Sequence, residues 1–554
     1  MIVRKFGEVV RKRMRVGVIV DRLQVTAWQA EALRSLGSEA RFIIYNCTNS
    51  EAPRRRLRHA GYYLLRLLSL NLRIMKSVPF PSDLHGIATF DFQSGNDGAW
   101  QTLPAHLLNR MQNDAPEVLL KFGMGLLRVP SHLAIPILSY HHGDPRDYRG
   151  RPAGFYELLH RQTSVGQVVQ RLTDRLDAGA VLAYGETKAL AHSWRATMAE
   201  AFARSPLLLL PAVRNAKSGI SLPLVPAGRN YRLPSNRLVL RFVLGRMSAL
   251  ARRIAYGLFF EKAWRIAEAH IGNPASLMKR FPDRGRWRVI GLPRRYHFIA
   301  DPFYASSEIL LAEAFRGGRG EIVQVSDGAL RPVTDYPGHL SYPATLSIEG
   351  ETLVVPEMAE WAAARLFRFR SGRLEEVGEL DFGRPLRLID PTMFSRDGRF
   401  YLFGNIKEES LSVLRLWVSE AALGPWREHP KSPIRISPAG SRMGGSILSL
   451  GSKLVRTGQD LRGGYGDGVL FFELIELSPT AYEECAIGEL RFNSVRGPHT
   501  INISGGKILF DFYNDRFSPA AGLSRLRLWI AARRRERLGT ASDSAHRAHP
   551  WEGA

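Results

Sequence analysis

The sequence predicts two domains of different class, an α/β doubly wound domain followed by an all-β five-bladed propeller. Three observations carry this expectation. Short apolar runs spaced by stretches long enough to hold helices fill roughly the first 200 residues, the helical period disappears past about Trp287, and a strand–turn–strand unit then recurs five times.

Taken in order, Arg15–Val20 (RVGVIV) is a short apolar run of the kind a buried parallel strand requires, and Thr26-Ala27-Trp28-Gln29 supplies a T-x-x-Q capping box for a helix ending near Gly37. Further strands are expected at Ala40–Tyr45, Val118–Phe122 and Ile135–Tyr140. The segment 54–76 mixes Arg with Leu and Tyr at near-helical spacing, which suits either a basic amphipathic helix touching a membrane or RNA, or a surface helix with snorkelling side chains. A helical stretch from Arg195 to Asn215 closes the first domain. Ser218–Ser235 then reads as a linker rich in Pro, Gly and Asn, and Asn236–His270 as an Arg-studded connecting helix.

The five units begin at Asp301 (DPFYASSEILLAEAF), Tyr342, Asp390 (DPTMFSRDGRFYLFGN), Gly444 and His499, at intervals of 41, 48, 54 and 55 residues. About four strands fit each interval, and a propeller disposes of the edges such strands would otherwise expose. The expected boundaries are a disordered extension at 1–13, the α/β domain at 14–214, linker and basic helix at 215–263, propeller at 264–520, and a basic, partly disordered tail at 521–554.

Composition narrows the function. A chain of 554 residues has room for about three or four domains' worth of packing. Lys and Arg total 77 against 52 Asp and Glu, so a net charge of +25 favours anionic partners without choosing among them. Cys47 and Cys485 are too few for a disulfide framework, which suits a reducing, cytoplasmic setting. The opening residues lack the apolar core of a signal peptide, and Leu207–Leu210 is far too short to cross a bilayer. The first strand is followed by DRLQVTAW rather than G-x-G-x-x-G, and no G-x-x-x-x-G-K-[ST] loop exists, so a nicotinamide cofactor and a P-loop hydrolase are both disfavoured. No Cys/His spacing points to a metal.

The informative loop is Ser139–Gly150 (SYHHGDPRDYRG), placed where the fourth strand's carboxyl end opens, the usual ligand edge of an α/β sheet. Asp177, in Leu176-Asp177-Ala178-Gly179, falls at a turn able to fold back beside His141. A His and an Asp at adjacent strand ends form either a general acid/base pair or a structural hydrogen bond.

With His141, Arg149-Gly150, Ser164-Val165-Gly166 and Asp177-Ala178-Gly179 in order, residues 14–214 resemble the catalytic domain of the 10-formyltetrahydrofolate-dependent formyltransferases. The resemblance implies formyl transfer with 10-formyltetrahydrofolate as co-substrate, His141 and Asp177 as catalytic residues, and Ser139 where the family has Asn. Tyr140 and His142 are candidates to stand in for that amide, and Gly143, Asp144, Arg149 and Gly150 complete the expected pocket.

The repeated Asp-Pro, Val354-Val355-Pro356-Glu357 and Gly424-Pro425-Trp426 make residues 264–520 similar to the glycosidase-type five-bladed propeller at the N-terminus of glucosamine inositolphosphorylceramide transferases. That resemblance implies carboxylates at inner-strand ends facing one funnel, namely Asp301, Glu357 and Asp390, with Glu313 a strand further on; His297, just before Asp301, and His499, at the start of the fifth unit, are each either a site residue or a buried, satisfied histidine, and Trp361, Trp417 and Trp426 read as blade core rather than sugar platforms. The alternative is that Asp-Pro merely starts turns. The combined expectation is a bacterial enzyme formylating an amino sugar or glycolipid precursor, with membrane-surface contact through basic helices and no nucleic-acid partner. The competing expectations are a carbohydrate-binding scaffold without chemistry, and a propeller that is itself the glycan-processing domain.

Overall fold

Val16, Val18 and Val20 point to one face of the first strand and Ile19 to the other, and all four are completely buried, as a central parallel strand covered on both sides must be. The computed structural model describes residues 13–543, apart from 50–55, 85, 273, 275–276, 278–280, 327 and 361. The chain divides into two units, Met1–Leu250 and Ala251–Ala554.

In the first unit the strands are β1 (Met14–Asp21), β2 (Ala40–Cys47), β3 (Ala88–Phe92), β4 (Val118–Lys121), β5 (Ile137–His141), β6 (Ser164–Arg171) and β7 (Val181–Lys188). They lie in the order β3-β2-β1-β4-β5-β6-β7 within a nine-stranded sheet, with two short antiparallel strands, Gln24–Thr26 and Ser77–Pro79, beyond β1. β1 through β5 pair in parallel. β6 and β7 pair antiparallel, so the doubly wound sheet is mixed at that edge rather than wholly parallel. β3 escaped the sequence reading because an edge strand of sequence ATFDF, half exposed and holding Asp91, makes no apolar run.

Helix α1 (Ala27–Ser35) starts as its capping box dictates, with Gln29 Oε1 accepting the Thr26 N–H at 2.8 Å. Helices α2 (Ala60–Ser69), α3 (Ala105–Asp114), α4 (Phe155–Leu159), α5 (Trp194–Arg204), α6 (Leu209–Lys217) and α7 (Asn236–Phe259) follow. On one face of the sheet α3 packs Leu107 and Met111 against Ile19, Leu119 and Ile137. A second core gathers Trp28, Phe155, Trp194, Met198 and Phe242. The presumed linker is partly structured: Arg229–Tyr231 pairs in parallel with Tyr148–Gly150.

The second unit contains five separate sheets that form the blades. Four are built from consecutive strands beginning at Phe298, Ser341, Leu388 and Ala439. The fifth joins both ends of the unit: Phe260–His270 runs antiparallel to Lys507–Phe517 along eleven registered pairs, which closes the ring and removes its edges. The propeller therefore starts at Phe260, inside the stretch expected to be helix, because Phe260–His270 is held as a strand by its pairing with Lys507–Phe517, a long-range contact.

The Asp-Pro pairs do not start turns. Asp301, Tyr342 and Asp390, each followed by Pro, sit within the innermost strands of three blades at φ of 48°, 45° and 45°. The ladder register shifts at each of these points, so each is a bulge. A left-handed backbone is costly for any residue but glycine, and bulges re-aim side chains, so three blades carry the same strained device. The tail also departs from expectation: Ala521–Asp543 is helix α8, rich in the helix formers Leu, Arg and Ala, which composition-based reading of its small polar end overlooked. The extension at 1–12 and the last residues 544–554 lie outside the described part, as does Trp361.

Candidate functional site

Strand register builds the first site. Ile19 pairs with Lys121, Leu120 with Leu138, and Gln170 with Ser139, so Lys121, Ser139 and Gln170 occupy one row across β4, β5 and β6. Residues two apart share a face. His141 therefore lies on the same side as Ser139 and Ile137, at the carboxyl end of β5, and Asp21 on the same side as Ile19 at the end of β1.

His141 and Asp177 do meet, with Nδ1 3.4 Å from Oδ2. The other ring nitrogen, Nε2, lies 2.9 Å from the carbonyl oxygen of Tyr148, so both nitrogens face oxygen acceptors. Asp177 is fixed from two further directions, accepting the Gly150 N–H at 3.0 Å and the Gln170 Nε2–H at 3.2 Å. Two glycines are required by this geometry. A Cβ on Gly143 would stand 2.7 Å from His141 Nε2, and one on Gly150, at φ 83°, would stand 2.2 Å from the Tyr231 carbonyl oxygen.

Tyr140 and His142 cannot stand in for an amide at position 139, because alternation sends them to the opposite face. Tyr140 donates to the Ser205 carbonyl, and His142 Nε2 lies 2.8 Å from Ser205 Oγ, packed against Trp28 and Phe202. Burial pushes the His142 imidazole down to about 3, which keeps it neutral. Asp144 is also away from the cleft, bound by the Arg146 guanidinium and the Tyr184 hydroxyl.

Several residues of this site carry no sequence signature. Lys121 is half-buried in the row beside Ser139; burial pushes its ammonium down to about 8, against the pull of Asp21 and Asp177. A cleft of about 190 Å³ is lined by His141, Tyr148, Arg149, Tyr156, Glu157 and Tyr231, among others. Tyr231 stacks on Tyr156 and Tyr148 at centroid distances of 4.2 and 5.6 Å. Burial raises the Glu157 carboxyl to about 7. Arg149 Nε is buried and has no hydrogen-bond partner, an orphan donor that an acceptor on a ligand would satisfy.

The second site lies in the propeller. Asp301 and Asp390 sit on the bulges of two innermost strands, whereas Glu313 and Glu357 come from second strands; the pairing of Ser341 with Glu357 brings the end of the hairpin level with the start of its inner strand. The four carboxyls are nearly enclosed. Arg442 binds Asp390 through Nε at 2.5 Å and Nη2 at 3.1 Å, reaches Glu357 at 3.5 Å, and lies over the Tyr465 ring. Gln459 adds a 2.7 Å bond to Asp390, and Glu357 accepts the Asp390 N–H at 3.2 Å. His499 stands between Asp301 at 3.2 Å and Asp511 at 2.6 Å. Burial and the neighbouring charges Asp301 and Glu357 hold Glu313 well above the usual carboxylate range; burial and Asp390 do the same to Glu357. His297, expected nearby, is exposed, and Trp417 and Trp426 fill blade core.

Asp301, His499 and Asp511 bring donor atoms within 4.8 Å of one another, a spacing that would also hold a metal. With each ring nitrogen against a carboxylate, however, His499 supplies the positive charge itself: burial opposes protonation, but Asp511 and Asp301 raise the imidazole to about 10. A folded value above the unfolded one of about 6.5 means a stabilising contribution fully present below pH 6.5 and lost as pH climbs through 10. The melting temperature of the second unit is thus expected to fall between pH 7 and pH 10, and less so in His499→Gln; an equal decline in both proteins would assign it to other groups.

The two units define an open α/β sheet with a polar row at its carboxyl edge and a five-bladed propeller with an enclosed ionic centre. The sequence profile of the family described as glucosamine inositolphosphorylceramide transferase 1, N-terminal, matches residues 328–504, which takes in Glu357, Asp390, Arg442 and His499. Proteins named glucosamine inositolphosphorylceramide transferase 1 are similar in sequence: that of Oryza sativa subsp. japonica is 30% identical over 210 residues, covering 34% of this chain and 28% of the relative. That of Arabidopsis thaliana is 28% identical over 324 residues, covering 49% and 41%. This chain thus spans well under half the length of either relative. Both are plant proteins, which gives the expected bacterial origin no support. Among solved structures, glycinamide ribonucleotide transformylase 1 from Symbiobacterium toebii aligns at 16% identity with a TM-score of 0.26, over 39% of this chain and 95% of that one. Phosphoribosylglycinamide formyltransferase from Anaplasma phagocytophilum aligns at 14% identity, with the same TM-score, over 38% and 91%.

Proposed function

We propose that the first unit moves a formyl group from 10-formyltetrahydrofolate to the amine of an amino sugar or glycolipid precursor in glycan biosynthesis, within a reducing, cytoplasmic setting, and that the propeller centre binds saccharide. The observation that carries this reading is the His141–Asp177 pair set in a one-sided polar row at the carboxyl edge of the sheet. In the step proposed, the acceptor amine attacks the formyl carbon and the carbonyl electrons move to oxygen. His141, its Nε2–H turned from the Tyr148 carbonyl, and the Lys121 ammonium donate to that oxyanion, while Asp177 takes the amine proton. Collapse breaks the bond to the folate N10, which leaves with the proton that Asp177 had taken, so the carboxylate is regenerated. Lys121 thereby supplies a donor in place of the amide that Ser139 lacks.

The cleft suits part of the donor. It is narrow, so this reading seats only the formyl-bearing portion there beside the tyrosines and leaves the rest of the folate outside. The name of the matched plant proteins joins a sugar amine to a sphingolipid, which supports an acceptor of that class. The test is a formyl-transfer assay with 10-formyltetrahydrofolate and a panel of nucleotide-linked amino sugars; no product with any of them would overturn the reading. Lys121→Met is expected to lower the rate by ~10–10²-fold, and Ser139→Asn in that background to restore part of it. Equal rates in wild type and Lys121→Met would remove Lys121 from the site.

A second reading makes the propeller centre catalytic at a glycosidic bond. It is favoured by carboxyls in unlike surroundings within one enclosure: burial and neighbouring carboxylates push Glu313 and Glu357 up, while Asp390 is paired with Arg442. Release of reducing sugar from oligosaccharides by the full chain, abolished in Glu357→Gln, would support it.

A further inference from the structure

Helix α2 is apolar on its outer side as well as its inner one, apart from Arg66. Tyr62 is buried and Leu65 packs with the core of the first unit, yet Leu64, Leu67 and Leu68, at i, i+3 and i+4, face outward at 59%, 67% and 69% exposure, and Leu57 in the preceding turn is 90% exposed. A helix of a water-soluble surface keeps polar residues on that side, and one that does not has something apolar to meet there. Snorkelling does not explain it, because the exposed groups are the leucines themselves.

The first turns of α7 extend the same character. They are joined to α2 by the Gly61 N–H to Asn236 Oδ1 bond at 2.9 Å and by the core contact of Tyr62 with Val239 and Phe242. Leu240 and Leu244 are again more than half exposed. Charge is one-signed: residues 56–76 and 236–250 contain no Asp or Glu, while Arg66, Arg73, Arg237 and Arg241 are all exposed.

We infer that this face of the first unit docks on an anionic lipid bilayer, the leucines entering the acyl boundary and the arginines meeting head-group phosphates. Both halves of the surface then have partners of matching chemistry. A second copy of the chain would cover the leucines only by setting Arg66, Arg237 and Arg241 against their own counterparts. A polynucleotide would satisfy the arginines and leave the leucines in water. No helix is long and apolar enough to cross a membrane among the described residues, so the contact is peripheral. The inference is independent of the transfer chemistry proposed above.

The test is cosedimentation of the full chain with vesicles of phosphatidylcholine containing a quarter phosphatidylglycerol. Binding is expected at low ionic strength, at least tenfold weaker with pure phosphatidylcholine, and at least tenfold weaker in Leu64→Gln/Leu67→Gln/Leu68→Gln, whose melting curve should match the wild type because the three side chains leave water for nothing in the soluble fold. Arg66→Gln/Arg73→Gln, which leaves the leucines intact, should weaken binding and flatten its salt dependence. No binding to anionic vesicles, equal binding to both vesicle types, or a dimer by light scattering that the leucine variant dissolves would each overturn the proposal.

Discussion

His141→Ala is expected to lower formyl transfer by about 10²–10³-fold, the usual size of losing one donor to a developing oxyanion. The acceptor amine gains nothing from a methyl group, and Lys121 alone is left to face the negative oxygen. The loss should appear in kcat, since the interaction grows with the charge. Stability should also fall, by about 1–3 kcal/mol, because the ring now bonds the Tyr148 carbonyl and the Asp177 carboxylate, and truncation leaves both without that partner. Asp177→Asn separates the roles: it keeps the bond from Gly150 N–H but cannot take a proton, so its rate should fall with little change in melting temperature. Unchanged turnover in either variant would sink the assignment, and a lost rate explained by an unfolded protein would show in the melting curve.

Arg442→Met is expected to destabilise the second unit by about 3–5 kcal/mol, the cost of leaving a buried carboxylate without its cation. Asp390 is 1% exposed and keeps the Gln459 amide as its donor among the described residues once the guanidinium is gone, while Glu357 loses the guanidinium beside it. Arg442→Met/Asp390→Asn should recover a large part of the loss, since the stranded charge goes with its partner. Denaturation followed by a probe in the propeller, such as the Trp417 and Trp426 fluorescence, reads the effect. A single variant as stable as wild type would mean that the centre is wetter and less ionic than its geometry indicates. If the centre holds saccharide, calorimetric titration of the full chain should lose sugar affinity in Asp301→Ala and Asp390→Ala, while transfer to a small amine at the first site persists.

Much of the fold was legible because it is written in local chemistry. The Val16–Val20 run, the Thr26–Gln29 capping box and the five strand–turn–strand units are patterns of neighbours along the chain, and each became the element they indicate. Edges and ends were less legible. β3 hides its strand character in an exposed edge, β6 and β7, which pair antiparallel, were not among the expected strands, and Ala521–Asp543 folds as helix behind a small polar end. The bulges at Asp301 and Asp390 were visible only as Asp-Pro, which suits turns equally well.

The sequence by itself determined which residues could do chemistry near position 141: a His and an Asp in an ordered motif, with Ser at 139. Only the tertiary structure decided what surrounds them. Strand pairing is a long-range event, so the placing of Lys121 beside Ser139, the supply of Gln170 to Asp177 and the removal of Tyr140 and His142 to the other face follow from register and pleat, neither of which leaves a mark in the primary sequence. The same holds in the propeller. Arg442 and His499 lie tens to hundreds of residues from Asp390 and Asp301, the carboxylates they neutralise, and the closed ring brings them within reach, because the low dielectric of a blade centre admits a charge only when its opposite arrives with it.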